Sequence, residues 1–239
     1  NKFNKFFIVY FAVSFLTTVA YAQTTLNFTN AAATGNTGPT GSQVNTAYDG
    51  TTLDDAVTIN TQGIQEWTVP ATATYTIEAY GAQGGRSYLL SSTTWYDGGK
   101  GAKMVGDFTL TQGDVLKIVV GQQGIELARA DRGGGGGGGS FVVLSSGTTL
   151  LMAAGGGGGA GDYAYDGHGN SGTSGSAGGN ASGNTGGSSG GTNGFGGMNS
   201  NYAGGGAGWS YDGASSNYGK GGKKFSNSGQ GGIGQSGTN

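Results

Sequence analysis

Between residues 64 and 154 the apolar positions form short runs with the two-residue period of half-buried strands, separated by glycine and polar turns. The run 64–69 carries Trp67 and stops at Pro70, a residue that cannot donate to a ladder and suits a strand end. Residues 74–80 alternate, with Tyr75, Ile77 and Ala79 on one face and Thr76, Glu78 and Tyr80 on the other. Residues 103–110 place Met104, Phe108 and Leu110 on one side, and 115–120 form a β-branched run. The tight connection Thr111-Gln112-Gly113-Asp114 between them predicts a hairpin. A second hairpin is predicted from 140–144 and 150–154 around Ser145-Ser146-Gly147-Thr148. Nearer the N-terminus, Leu26-Asn27-Phe28 reads as a short strand and 35–41, with Pro39, as a turn-rich loop. Residues 44–57 predict a helical turn or two, because Val44, Ala47, Tyr48, Leu53 and Val57 are loosely spaced. Many short strands, few helices and no strand–helix alternation predict an all-β fold, a β-sandwich of jelly-roll type.

The strand pattern is interrupted by glycine. Seven consecutive glycines, 133–139, run straight into Phe141-Val142-Val143-Leu144, and Leu150-Leu151-Met152-Ala153-Ala154 runs straight into five more, 155–159. A glycine linker has no reason to be spliced onto buried strands at both ends, so ordered polyglycine docked on the β framework is expected. Beyond 155 the apolar content collapses, and glycine recurs every third residue at 169, 172, 175 and 178, then at 191, 194 and 197. A three-residue period is that of the extended polyproline II helix, which rises about 3.1 Å per residue and makes no internal hydrogen bonds. Its backbone groups must pair with neighbouring chains, which predicts a bundle of short polyglycine II segments bonded side by side. Ordering such backbone costs about 1–2 kcal/mol per residue, and a disordered glycine-serine tail is the competing reading for 167–191.

The ends and the composition narrow the class. Lys2 and Lys5, the apolar stretch 6–16 and Ala20-Tyr21-Ala22 have the layout of a secretion signal with cleavage between Ala22 and Gln23. The stretch is short for a bilayer span, with an uncleaved membrane anchor as the alternative reading. No other apolar stretch approaches that length, so no membrane span is expected in the mature chain. With no cysteine, disulfides, thiolate metal sites and cysteine nucleophiles are excluded. A net charge of -2 with 10% charged residues provides no nucleic-acid-binding surface. The 56 glycines come with two prolines and no sustained Gly-X-Y period, which excludes collagen.

Chemical motifs are sparse. Gly186-Gly187-Ser188-Ser189-Gly190 spells a Gly-x-Ser-x-Gly pattern without the strand and helix that a nucleophile elbow needs. The 133–139 tract spells a dinucleotide fingerprint but precedes a strand instead of opening a helix. The spacing of Asp162, Asp166 and His168, the single histidine, fits neither a calcium loop nor a zinc motif. Asp97, Asp107 and Asp114 beside glycines are expected to cap turns, and Lys220, Lys223 and Lys224 to form a small solvated cluster. No catalytic residue, cofactor site or metal site is expected. The aromatics of the glycine-rich half, Tyr163, Tyr165, Tyr202, Trp209, Tyr211 and Tyr218, have little core of their own to enter. They are expected to cap the bundle and lean on the sandwich; facing outward, Tyr202, Trp209 and Tyr211 are the binding candidates.

The motifs Gly63-Ile64-Gln65-Glu66-Trp67-Thr68-Val69-Pro70 and Tyr75-Thr76-Ile77-Glu78-Ala79-Tyr80-Gly81-Ala82-Gln83-Gly84-Gly85 resemble the opening of the glycine-rich domain family found in the extracellular regions of anaplastic lymphoma kinase and leukocyte tyrosine kinase. The resemblance continues through Leu110-Thr111-Gln112-Gly113-Asp114-Val115-Leu116, Ile118-Val119-Val120-Gly121-Gln122 and the two glycine–strand junctions, in the family's order. It implies a tumour-necrosis-factor-like β-sandwich with polyglycine II helices inserted between its strands. The absence of cysteine and the Ser/Asn/Thr-rich latter half depart from the receptors and are similar to an exported bacterial member, for which the resemblance implies the fold without cytokine signalling. The closing strands of the sandwich are expected beyond residue 239.

The expected organisation is a signal peptide at 1–22, a β-sandwich framework with a polyglycine insert at 23–154, and a glycine-rich polyglycine II region at 155–239. The function expected is an exported, non-enzymatic structural or adhesive module at the cell surface, open to self-association. The alternatives are a recognition domain for a glycan or protein ligand and, more remotely, an ice-binding surface.

Overall fold

A computed structural model of the chain describes residues 24–89, 94–126, 133–146, 149–161, 194–199 and 202–234. The signal segment with Ala22 and Gln23, the Asp162/Asp166/His168 group, Tyr163, Tyr165 and the 186–190 motif lie outside the described residues.

The described chain is all-β apart from one short helix and a single 3-10 turn at Phe225–Asn227. Helix α1 (Gly41–Tyr48) starts at a capping box, in which the Thr40 hydroxyl accepts from the Gln43 amide and the Gln43 side chain accepts from the Thr40 amide. Strands β1 (Val57–Thr61) and β2 (Ile64–Thr68) form a hairpin turned by Gln62 and Gly63, where Gly63 has φ +84°. They open a five-stranded antiparallel sheet of order β1-β2-β7-β8-β9, with β7 at Val115–Val119, β8 at Ser140–Leu144 and β9 at Thr149–Ala154. Strands β3 (Ala73–Tyr80) and β6 (Lys103–Leu110) pair along their full length as a second sheet. The small hairpin β4 (Ser87–Leu89) and β5 (Thr94–Tyr96) lies between them in sequence.

The two larger sheets face each other. Ala79 and Leu110 from one and Trp67, Leu116, Ile118, Val142 and Met152 from the other share a single core, with Tyr75, Ile77, Met104 and Phe108 packed against it. Trp67 meets Tyr75 and Phe28 edge-on, each at 6.1 Å between ring centroids. Val44 and Tyr48 of α1 cover the β1-β2 end of the same face. There the buried Gln65 accepts from the Tyr48 hydroxyl at 2.6 Å and donates to the Thr29 carbonyl at 2.8 Å, so its amide is not left unsatisfied. The opposite face of the larger sheet is not solvent-facing: Val119, Phe141 and Ala153 form a second core against Trp209 and Phe225.

The predicted faces of 74–80 and 103–110 and the β8–β9 hairpin agree with the structure. Three expectations do not. Residues 103–110 and 115–120 are not a hairpin: β6 pairs with β3, whereas β7 pairs with β2 and β8. The 111–114 turn does form, with Gly113 at φ +90° and the Asp114 amide bonded to the Thr111 carbonyl at 3.0 Å, but it carries the chain from one sheet to the other. Leu26-Asn27-Phe28 forms no strand; Leu26 and Phe28 pack on the core without a ladder. Asp107 sits inside β6, where its carboxylate accepts from the Thr76 hydroxyl across the strand pair at 2.6 Å.

Strands β3, β7 and β9 run on into 81–85, 121–125 and 155–161, while 98–102 and 133–139 lead into β6 and β8. These glycine-rich segments bond to one another and to 194–198, 203–208, 213–216, 219–223 and 229–234. The tract 134–138 lies at their centre. Gly134 and Gly137 donate to Ala160 and Gly157, Gly135 and Gly138 donate to Ile125 and Gln122, and Gly136 donates to Lys220. The carbonyls of Gly134 and Gly137 accept from Gly204 and Ala207, those of Gly135 and Gly138 from Gly85 and Ala82, and that of Gly136 from Gly232. The tract therefore touches six different segments, and the direction of bonding repeats every three residues. A Cβ on any of Gly134 to Gly138 would lie 1.8–2.2 Å from a neighbouring carbonyl oxygen.

Gly137→Ala forces its methyl into the Ala82 carbonyl, 2.2 Å away, and no side chain is there to yield. A loss of more than about 3 kcal/mol is expected on denaturant unfolding. Gly113→Ala, with nothing within 4 Å, is expected to lose only about 1–2 kcal/mol through its positive φ.

Candidate functional site

Besides Gln122, the side chains buried inside the bundle include the methyls of Ala102, Ala160, Ala203 and Ala207, and its larger side chains lie mostly on the outside. The edge strips at 194–198 and 210–214 are laid side by side by the Ser210 amide on the Gly194 carbonyl at 2.8 Å and the Ala214 amide on the Gly197 carbonyl at 2.9 Å. Phe195 and Met198, three residues apart, then project outward next to Tyr211 and Ala214, also three apart. The rings of Phe195 and Tyr211 stack at 4.3 Å between centroids with 8° between planes. Both remain about half exposed, as does Met198, at 48%, 53% and 52%. They form an apolar face on an otherwise side-chain-poor surface.

The polar flank of this face is fixed by Asp212. Its carboxylate accepts from the Lys223 ammonium at 3.0 Å, the Lys224 amide at 2.9 Å and the Asn227 side chain at 3.2 and 3.3 Å. Burial raises its pKa, but the backbone bond from Lys224 and the bond and charge of Lys223 outweigh that and hold the acid below its ordinary value. Asp212 is thus a fixed anion and not a proton carrier near neutral pH. Lys224 donates to the Ser210 carbonyl at 3.3 Å and sits 5.9 Å from the Tyr211 ring centroid. Lys223 and Lys224 are therefore half-buried fasteners, where the sequence predicted a solvated cluster.

The three aromatics singled out from sequence occupy different environments. Trp209 is half-buried and packs edge-on against the fully buried Phe141 at 5.5 Å, and against Phe225 at 5.1 Å. Tyr202 is half-buried and stacks on Tyr218 at 5.0 Å and 22°. Tyr211 faces outward. The structure brings none of the three together in one site. Phe195 and Met198 were missed by the sequence reading, although their three-residue spacing beside Gly194 and Gly197 matches the glycine period. Among the described residues no group of three or more His, Cys, Asp or Glu is placed to hold a metal, and no helix is long and apolar enough to cross a membrane.

Truncating these rings should separate their roles. Trp209→Ala opens a cavity over Phe141 and is expected to cost about 2–4 kcal/mol. Tyr211→Ala removes a half-exposed ring and is expected to cost less than about 1 kcal/mol; denaturant midpoints of the two variants check the contrast. Because the folded-state pKa of Asp212 is depressed, its contribution is full above the unfolded carboxylate value, near 3.9, and is lost as pH falls through the folded value. The gap in melting temperature between the parent and Asp212→Asn should be widest above about pH 5 and should close towards pH 2.

No family model matches the chain. It is 36% identical over 101 residues to the mouse (Mus musculus) leukocyte tyrosine kinase receptor, a match that covers 41% of this chain and 11% of the receptor. The match supports a distant relationship over that stretch, and the chain corresponds to about a tenth of the receptor's length.

Proposed function

We propose that this chain is an exported, non-enzymatic structural and adhesive module of the cell surface. Its β framework is read as a tumour-necrosis-factor-like jelly roll, and its glycine segments as a polyglycine II bundle of the glycine-rich domain type. The observation that carries this reading is the six-neighbour bonding of 134–138, with methyl-sized groups excluded at every position. Such a lattice is rigid without bulk and leaves most of its larger side chains on its surface. The three-residue repeat of bond direction is the repeat of an extended three-fold helix. Similarity to a receptor, together with the signal-like N-terminus, supports an extracellular setting.

In this reading the contact surface is the Phe195–Met198–Tyr211 face, whose two rings and thioether are held outward by paired backbone. Exposed apolar groups on a stiff, nearly uncharged support gain by covering themselves with another apolar surface and lose little entropy in doing so. Beads coated with the chain should be retained under flow on alkyl-terminated monolayers or on a layer of the same chain, and much less on hydroxyl-terminated ones. The double variant Phe195→Ser, Tyr211→Ser should lose retention severalfold while its melting temperature stays near that of the parent. Parent-like retention in that variant, or no retention by the parent beyond bare beads, would overturn the proposal.

A further inference from the structure

Beside the bonded segments 83–86 and 123–126 lies an open cleft of about 500 Å³, whose lining includes Gly35, Gln83, Arg86, Gln123, Ile125 and Glu126. This volume is in the range of small-ligand sites. Its floor is stiff: the Gly124 amide bonds to the Gln83 carbonyl at 3.0 Å, Gly85 bonds to Gly135 at 2.7 Å, and a Cβ on Gly124 would lie 2.1 Å from the Gly135 oxygen.

The β4–β5 hairpin rises from the rim of this cleft. Arg86 immediately precedes β4 and Asp97 immediately follows β5, and the two side chains form an ion pair at 2.6 Å. One step further along the hairpin, Tyr88 and Trp95 are directly opposite each other, with ring centroids 4.9 Å apart. Side chains two residues apart on a strand share a face, so the Arg86–Asp97 pair and the Tyr88–Trp95 pair lie on one side of the hairpin. Ser87, on the other side, is buried. Trp95 is 45% exposed. The chain thus presents a continuous strip: amides, a guanidinium and a carboxylate in the cleft, then a partly open indole.

We infer that this strip is a binding site for a neutral saccharide. Vicinal hydroxyls both donate and accept, and they suit a lining of two glutamines, an arginine and carboxylates better than an apolar or anionic ligand does. The apolar C–H side of a sugar ring suits an exposed indole. The charges select against polyanions, because Glu126 and Asp97 outnumber Arg86 within the strip. This site shares no residue with the Phe195–Tyr211 face, so either proposal can fail without the other.

The test uses the whole chain and a panel of hexasaccharides, each at about 10 mM so that millimolar affinities register: β1,4-glucose, β1,4-N-acetylglucosamine, α1,4-glucose, α1,6-mannose and a heparin fragment. Saturation-transfer NMR and tryptophan fluorescence are the readouts. At least one neutral sugar is expected to bind and to shift the emission of Trp95, with the heparin fragment binding more weakly. Trp95→Ala and Glu126→Gln are each expected to lower that affinity about tenfold with an unchanged circular-dichroism spectrum; both side chains are exposed, and Glu126→Gln keeps the test valid if the hairpin variant misfolds. Weakening in either folded variant supports the site. Absence of binding by every neutral sugar, parent-like affinity in both variants, or tighter binding of the heparin fragment overturns it.

Discussion

The rest of this structure depends on the need of a backbone without internal hydrogen bonds to find all its partners outside itself. An α-helix satisfies its own amides and a strand satisfies half on each side, but an extended three-residue-period segment points its groups in three directions in turn. In 134–138 the donors point towards 157–160, 122–125 and Lys220, and the acceptors towards 204–207, 82–85 and Gly232. Six neighbours at hydrogen-bonding distance leave no room for a Cβ, and the Cβ positions there fall within 2.2 Å of a neighbouring carbonyl. The long glycine runs are thus a steric requirement of the bonding pattern. Composition follows from geometry.

Such a bundle cannot hold itself together. Fixing a residue's backbone costs about 1–2 kcal/mol, and more for glycine, while a typical hydrogen bond returns a net 0.5–1.5 kcal/mol. The deficit has to be met by apolar burial elsewhere, and the sandwich meets it by sharing strands. Five segments of the bundle are uninterrupted continuations of β3, β6, β7, β8 and β9, so their spacing and register are set by sheets that have a core. Ser140 marks the join: its hydroxyl donates to the Tyr80 carbonyl at 2.5 Å and accepts from the Gly121 amide at 2.9 Å, tying three strand ends together. The bundle in turn supplies Trp209 and Phe225 to cover Phe141, on the sheet face that β3 and β6 do not reach. Each half buries what the other leaves open.

How much of this could be read from the sequence varied with the signal. The face of β3 was legible because Tyr75, Ile77 and Ala79 alternate with Thr and Glu. That of β6 was legible because Met104 and Phe108 are flanked by Lys103, Asp107 and Thr109, although the exposed Val105 breaks its alternation. Strand β1 was not, since Val57 and Ile59 alone do not distinguish a strand from a helical turn. The turn at 111–114 was legible as a turn, but local chemistry is the same whether the chain returns to its own sheet or crosses to another. That choice is made by Tyr75, Phe108 and Trp67 meeting across the layers. In the glycine half, period three predicted side-by-side bonding, yet which segment adjoins which depends on contacts distant in sequence. Tyr211 was therefore found as a candidate without its partner Phe195, and Trp209 was grouped with it although it packs on the sandwich.

The same steric rule places the chemistry. Where most interior positions accept only hydrogen or a methyl group, large side chains are placed mainly on the rim, at segment ends or on hairpins that leave the lattice. The Phe195–Tyr211 face is on the rim, and Arg86, Trp95 and Asp97 stand on a hairpin inserted between two glycine segments. These side chains are about half exposed, so substitutions there are expected to leave the lattice intact. The hairpin's roots, by contrast, are pinned: Gly84 bonds to Gly99 at 2.9 Å, and Gly98 has no space for a side chain beside Gly84. A root pinned by backbone contacts, with exposed side chains just beyond it, is an arrangement that holds those side chains at a constant position.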